Sequence, residues 1–270
     1  MSIHRVTLFC LIGLGLTACG GTKLVKHAAP PPAGRVLAEA SDQNMSATLD
    51  WVIVRDGPGT WAKNADWDEY LIRVANVSPG AVRITGIAVF DSQGTRIAPS
   101  ANRKQLVKDS KQTARRYKDS GIKIKAGAGG AGLAWTSAAM TVGGAGLAMG
   151  LAPSAILSGG GGAAAGAAGG AAIAVLGAPL IGIYGIVRAV HNGQVNSEIE
   201  RRQTRFPSGV AATQVQSLDI FFALAPSPSH VEISYVDAQG EHRLDLDTRK
   251  SLAGLHLGSG VTAPIASGYE

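Results

Sequence analysis

The chain is short of the side chains that usually carry chemistry. Its 270 residues include two cysteines, Cys10 and Cys19. Both lie near the start, so the remainder has no thiol for a disulfide or a cysteine metal site. No serine or cysteine stands in a G-x-S-x-G or similar nucleophile frame. Charge is missing from the middle of the chain. Between Lys125 and Arg188, 62 residues carry no charged or histidine side chain, and 37 of them are glycine or alanine. A soluble loop of that length needs polar side chains to stay solvated. The stretch is long enough for two passes through about 30 Å of hydrocarbon, and Leu151-Ala152-Pro153-Ser154 supplies a turn inside it.

The first residues are a short basic start, Met1 to Arg5, then an apolar run, Val6 to Leu16, too short to span a bilayer. Small residues follow, and together these are the parts of a secretory signal peptide. The ending Leu16-Thr17-Ala18-Cys19 resembles the lipobox of bacterial lipoproteins. That resemblance implies removal of 1–18, acylation of Cys19 and, with Gly20 rather than aspartate after it, transport to the outer membrane. Residues 19–44 contain Ala28-Ala29-Pro30-Pro31-Pro32-Ala33-Gly34 and read as an extended lipid-anchored linker.

From residue 45 the pattern turns to short β-branched runs bounded by turn residues. Thr48–Arg55, Tyr70–Val77 and Ala81–Phe90 precede the uncharged stretch; Ser217–Leu224, Val231–Val236 and His242–Asp247 follow it. Two Asp-x-Gln-Gly sequences, at Asp91 to Gly94 and Asp237 to Gly240, read as hairpin turns. Neither half is large enough to bury a core alone. The expected fold is therefore mainly β: an immunoglobulin-like antiparallel sandwich of six or seven strands, interrupted by a Gly/Ala-rich helical hairpin. Its halves are expected at 45–100 and 216–248, with a flexible tail at 249–270.

A basic segment, 101–125, leads into the hairpin, with nine basic residues against Asp109 and Asp119 between Asn102 and Lys125. Leu106, Val107, Ala114 and Tyr117 form a narrow apolar stripe, which predicts a solvated or interfacial helix. A second basic group, Arg188, Arg201, Arg202 and Arg205, accompanies the connector at 191–215. Basic flanks at both ends put both on one side of a membrane, so the hairpin at 126–190 makes an even number of spans. The residues expected at the membrane surface are Lys118, Lys123, Lys125, Arg188, Arg201 and Arg202. Basic flanks ordinarily mark a cytoplasmic side. The lipid anchor requires instead that the hairpin enter from the periplasm after export.

Within the hairpin small residues recur every four positions: Gly162, Gly166, Gly170, Ala174, Ala178 and Gly182 in the second arm, and Gly130, Ala134, Ala138, Gly146 and Gly150 in the first, where Val142 breaks the register. Residues four apart share a helix face, and such a ridge lets helices associate closely in lipid. Each glycine costs roughly 0.8–1 kcal/mol of helix propensity against alanine, so the arms are expected to support each other between chains as a homo-oligomer.

Several motifs do not carry through. Gly127 to Gly132 spells G-x-G-x-x-G, but no acidic residue follows as a dinucleotide site requires. Asp66-Trp67-Asp68-Glu69 lacks a glycine-centred calcium loop and reads as a turn into the Tyr70 strand. His230 and His242 are placed as possible neighbours across the last hairpin, without a third zinc ligand. The basic run has no interleaved aromatic except Tyr117, which favours a phospholipid surface over nucleic acid. No cofactor and no metal are implied, and the protein partner stays unspecified.

The organisation is similar to the surface-exclusion and serum-resistance outer-membrane lipoproteins of conjugative plasmids, in the lipobox and the 126–190 insertion alone. The expected function is a non-enzymatic structural or barrier role at the outer membrane. The alternatives are a pore-forming or secretion/conjugation-apparatus subunit, and a periplasmic binding module with a soluble helical insertion.

Overall fold

The computed structural model describes residues 22–32, 36–129 and 181–258, the last with backbone alone for 181–190. Among these the chain is mainly β. The strands are β1 (Lys23–Leu24), β2 (Ala38–Ser41), β3 (Met45–Ile53), β4 (Ala62–Lys63), β5 (Trp67–Asn76), β6 (Val82–Phe90), β7 (Arg96–Ile97), β8 (Ser208–Val210), β9 (Val215–Ala223), β10 (His230–Val236) and β11 (Glu241–Asp247). Two helices, α1 (Arg103–Asp119) and α2 (Ile181–Arg202), stand between β7 and β8.

All described strand pairs are antiparallel. One sheet has the order β2-β3-β5-β9; the other has β11-β10-β6-β7, with β8 also on β6, and β1 pairs β4 apart from both. Neither large sheet is complete on one side of the uncharged stretch, because β9 pairs with β5 and β10 with β6. One buried cluster draws on both sheets, from Trp51, Tyr70, Ile72 and Phe222 on one to Ile84, Ile87, Ile233 and Leu246 on the other. Tyr70 and Phe222 meet edge to face with centroids 5.1 Å apart.

Alternation explains which face goes inward. In β3 Met45, Ala47 and Leu49 are buried while Ser46, Thr48 and Asp50 are half-exposed, as a strand with one solvated face requires. The register with β5 slips between Leu49 and Trp51, a bulge, and Trp51, Val52 and Ile53 beyond it are all buried. In β5 the alternation starts late: Trp67, Asp68, Glu69 and Tyr70 are buried without a gap. The helices cause this. Leu106 of α1 and Val195 and Ile199 of α2 form a second buried cluster with Trp61, Trp67 and Phe221 on the outer side of that sheet.

The inner face of α1 is better packed than the narrow apolar stripe of a solvated or interfacial helix would be. Its inward stripe is Leu106, Ser110, Thr113 and Tyr117, all buried. Hydroxyls pack when each finds a partner. The Ser110 hydroxyl bonds the Asp66 carbonyl and accepts from the Leu224 amide at 3.0 Å. The Tyr117 hydroxyl lies 2.9 Å from that of Ser92. Asn102 caps the start by accepting from the amides of Lys104 and Gln105. Both Asp-x-Gln-Gly turns form as read: Asp91 accepts from the amides of Gln93 and Thr95, and Asp237 from those of Gln239 and Gly240.

Three boundaries move. The linker is docked in part, since β1 and β2 belong to it and Leu37 is buried. The helix α2 runs unbroken across residue 190. The expected flexible tail enters the core, with Leu252, Leu255, His256 and Leu257 fully buried. Its glycines and polar residues disguised three leucines spaced for one turn-rich loop. Leu255→Ala is expected to cost about 2–5 kcal/mol, as buried leucines do, measured by urea unfolding. A loss under ~0.5 kcal/mol, the range of surface substitutions, would remove the loop from the core.

Candidate functional site

The feature most in need of a structural account is the uncharged stretch, and the described residues show how its two ends are held. After α1 the chain turns at Gly121, and the Ile122 amide bonds the Tyr117 carbonyl at 2.8 Å. Ile124 then bridges Leu257, and the Lys125 amide donates to the His256 carbonyl at 2.9 Å. At Gly129 a Cβ would stand 2.5 Å from the Leu257 carbonyl oxygen and 2.8 Å from that of Gly254, and φ is +57°. Only glycine fits there. Gly129 of the apparent G-x-G-x-x-G thus serves close packing against the C-terminal loop, and Gly127, at φ +117°, lies against the Arg55 carbonyl.

That loop is pinned in turn by a buried His–Asp contact. His256, itself at φ +62°, places Nε2 2.7 Å from Asp68 Oδ2, and both side chains are fully buried. Asp68 Oδ1, His256 Nδ1 and the Tyr70 hydroxyl have no hydrogen-bond partner. Burial first, and the nearby Asp68 carboxylate second, push the Tyr70 hydroxyl well above its ordinary pKa. A His–Asp couple is a familiar acid–base unit, yet no hydroxyl bonds Nδ1 and the couple is closed to solvent. Its geometry holds a loop in place.

The returning end is held by the next residue of the same strand. Glu69, 2% exposed, receives Arg202 of α2 at 3.3 Å and the Trp61 indole N–H at 2.5 Å. The guanidinium also stacks over Trp61, 4.8 Å from the ring centroid, and bonds Glu198 at 2.7 Å. Burial raises the Glu69 pKa, opposed by the Trp61 hydrogen bond and by Arg202. Asn196 accepts from the Arg103 amide at 3.2 Å, tying α2 to the start of α1. Adjacent strand residues face opposite sides, so Asp68 grips the exit from one face of β5 and Glu69 the return from the other.

The expected site residues divide accordingly. Cys19, Gly130, Ala134, Ala138, Gly146, Gly150, Gly162, Gly166, Gly170, Ala174 and Ala178 lie outside the described residues. Gly182 and Arg188 fall in the backbone of α2. Lys118, Lys123 and Lys125 are exposed. Arg201 is exposed but bonded to Glu198 at 2.6 Å, and Arg202 points into the domain rather than away from it. His230 and His242 are not neighbours, because His242 pairs with Tyr235 and His230 with Asp247. Five ladder positions separate them, about 17 Å at 3.4 Å per residue. Among the described residues no three His, Cys, Asp or Glu groups converge on a metal position, and no helix is long and apolar enough to cross a membrane.

Sequence reading missed Asp68, Glu69 and His256 as clamps. The available signal was a carboxylate pair opening an apolar strand; the partners, 188 and 133 residues away, gave none. Comparison with protein families, curated proteins and solved structures finds no match to this chain.

Two measurements probe the return clamp. Arg202→Met strands the Glu69 carboxylate and is expected to cost roughly 2–3 kcal/mol, while Glu69→Gln added to it recovers most of the loss; additive losses would mean the pair is not coupled. Glu198 is held at a pKa of about 2, from 4.5, first by its Arg201 hydrogen bond and then by Arg202. A depressed carboxylate adds stability in full above its unfolded pKa, and that stability disappears as pH falls through the folded one. Glu198→Gln should therefore flatten stability against pH between 4.5 and about 2, by roughly 0.5–1 kcal/mol for a pair of this exposure. An unchanged acid limb in urea titrations would contradict it.

Proposed function

We propose that this chain is a non-enzymatic outer-membrane lipoprotein, acylated at Cys19, whose periplasmic β domain launches residues 126–190 into the membrane as a glycine-zipper hairpin. The hairpins associate between copies, and the assembly has a structural or barrier role. One observation carries the reading: the segments flanking the uncharged stretch are both held to a single strand, β5, the C-terminal loop that receives Lys125 through Asp68 on one face and the end of α2 through Glu69 on the other. A segment held at both ends by one body re-emerges on the side it entered, which suits a hairpin and an even number of spans. Its lack of any polar face suits lipid, where backbone groups are satisfied within helices. Acyl chains and a hairpin together are two membrane signals, enough for stable anchoring.

The finer architecture belongs to the same proposal. Antiparallel sheets sharing one buried cluster support an immunoglobulin-like sandwich into which the hairpin is inserted.

Alkaline carbonate extraction of a Cys19→Ala variant is the test, because it asks whether the hairpin holds the membrane without the lipid. Retention in the pellet is expected. Release into the supernatant would sink the inserted hairpin. Gly166→Leu with Gly170→Leu should abolish cross-linked multimers while leaving the monomer in the membrane. Unchanged multimers would remove the zipper.

A further inference from the structure

The side of α1 turned away from the β domain has no role in the contacts described so far. Lys104, Lys108, Lys111, Arg115 and Lys118 follow one another at steps of four, three, four and three, so they lie on one face. They run along about 21 Å of helix at 1.5 Å per residue. All five are exposed, and none has a carboxylate partner among the described residues. The opposite face is the buried stripe of Leu106, Ser110, Thr113 and Tyr117.

The remaining cations nearby are spent on the fold. Arg116 bonds Asp91 and Gln93, Arg103 bonds Thr22, and Arg202 bonds Glu69 and Glu198. The two acids of α1 do not neutralise the row: Asp109 accepts from Gln105 at 2.8 Å, and Asp119 sits at the helix end. Like charges three and four apart repel, so the row works against the helix that displays it. Among the described residues the row has no anionic counterpart.

We infer that this face of α1 is a docking platform for the phosphate-bearing surface of an anionic lipid bilayer. It binds by charge alone, because the apolar side of the helix is committed to the β domain. The inference rests on the membrane reading above and specifies the lipid class and the surface. A straight row of mostly lysine, each a mobile point charge on a flexible stem, suits a plane of dispersed phosphates. The row has no aromatic side chain for stacking bases, since Tyr117 is buried, and this disfavours single-stranded nucleic acid. Two more exposed lysines, Lys123 and Lys125, continue the charge to the start of the uncharged stretch. The platform is rigid with the domain through Ser110 and Arg116, so docking fixes how the β domain faces the membrane. Arg201 and Arg202 take no part in it.

The experiment is sedimentation of the full chain, in the Cys19→Ala background, with vesicles of phosphatidylcholine alone or mixed with phosphatidylglycerol. Phosphatidylglycerol is expected to strengthen binding, and the gain should vanish at about 0.5 M salt, where the screening length falls to a few ångströms. Lys108→Ala, Lys111→Ala and Arg115→Ala together should reduce the gain roughly 100-fold, at about fivefold per cation. Binding to phosphatidylcholine and the melting temperature should not change. Arg83→Ala, Lys63→Ala and Lys250→Ala, three exposed cations off the platform, should leave the gain intact.

If the first triple variant keeps the full gain, the platform is wrong while the hairpin reading stands. A gain that survives high salt also overturns the platform. Failure to bind any vesicle overturns both readings. Loss of DNA binding in the first triple variant with lipid binding untouched would assign the face to a nucleic acid instead.

Discussion

Two carboxylates on consecutive residues of β5 are the constraint around which the described structure is arranged. Isolated buried carboxylates are costly enough that they neutralise or find partners. Asp68 and Glu69 find theirs in segments far away in sequence, and on opposite faces of the strand. Asp68 draws in the loop around His256, which closes one end of the core and receives the chain leaving α1. Glu69 draws in the last turn of α2 through Arg202, with Trp61 under the guanidinium. The strand therefore organises the chain before and after the uncharged stretch.

The double covering of β5 also accounts for the helices. A sheet with one solvated face would have left Trp67, Glu69 and Phe221 exposed. Leu106, Val195 and Ile199 cover them instead, and side chains at the helix ends supply the polar contacts. The outer edge of β9 is closed in the same way: the Thr204 amide bonds the Asp219 carbonyl, Gln203 accepts from the Phe221 amide, and Ser100 bonds the Phe221 carbonyl. An open strand edge is a site for unwanted pairing. Here the entry to α1 and the exit from α2 together leave that part of the edge occupied.

Much of the β framework was legible. Period-two alternation placed the six long strands within a few residues, and both Asp-x-Gln-Gly turns formed, because these signals are local. The failures share a cause. The α1 stripe looked too narrow since Ser110 and Thr113 count as polar, and the backbone partners of Ser110, at Asp66 and Leu224, are far away in sequence. The C-terminal loop looked flexible because three buried leucines in an irregular turn have no period. Asp68 and Glu69 looked like turn residues because their partners are set by topology. For the candidate site, Lys118, Lys123 and Lys125 are exposed, whereas nothing in the composition of 191–215 distinguished inward Arg202 from outward Arg201.

The position of β5 has a mechanical meaning. It is an interior strand, hydrogen-bonded along its length to β3 on one side and to β9 on the other. The two contacts that hold the flanking segments, at Asp68 and Glu69, are therefore backed by both ladders at once. A load along the strand would have to shear many hydrogen bonds together, whereas an edge strand would peel them one by one. The two contacts thus sit on a strand that cannot be peeled from an open edge.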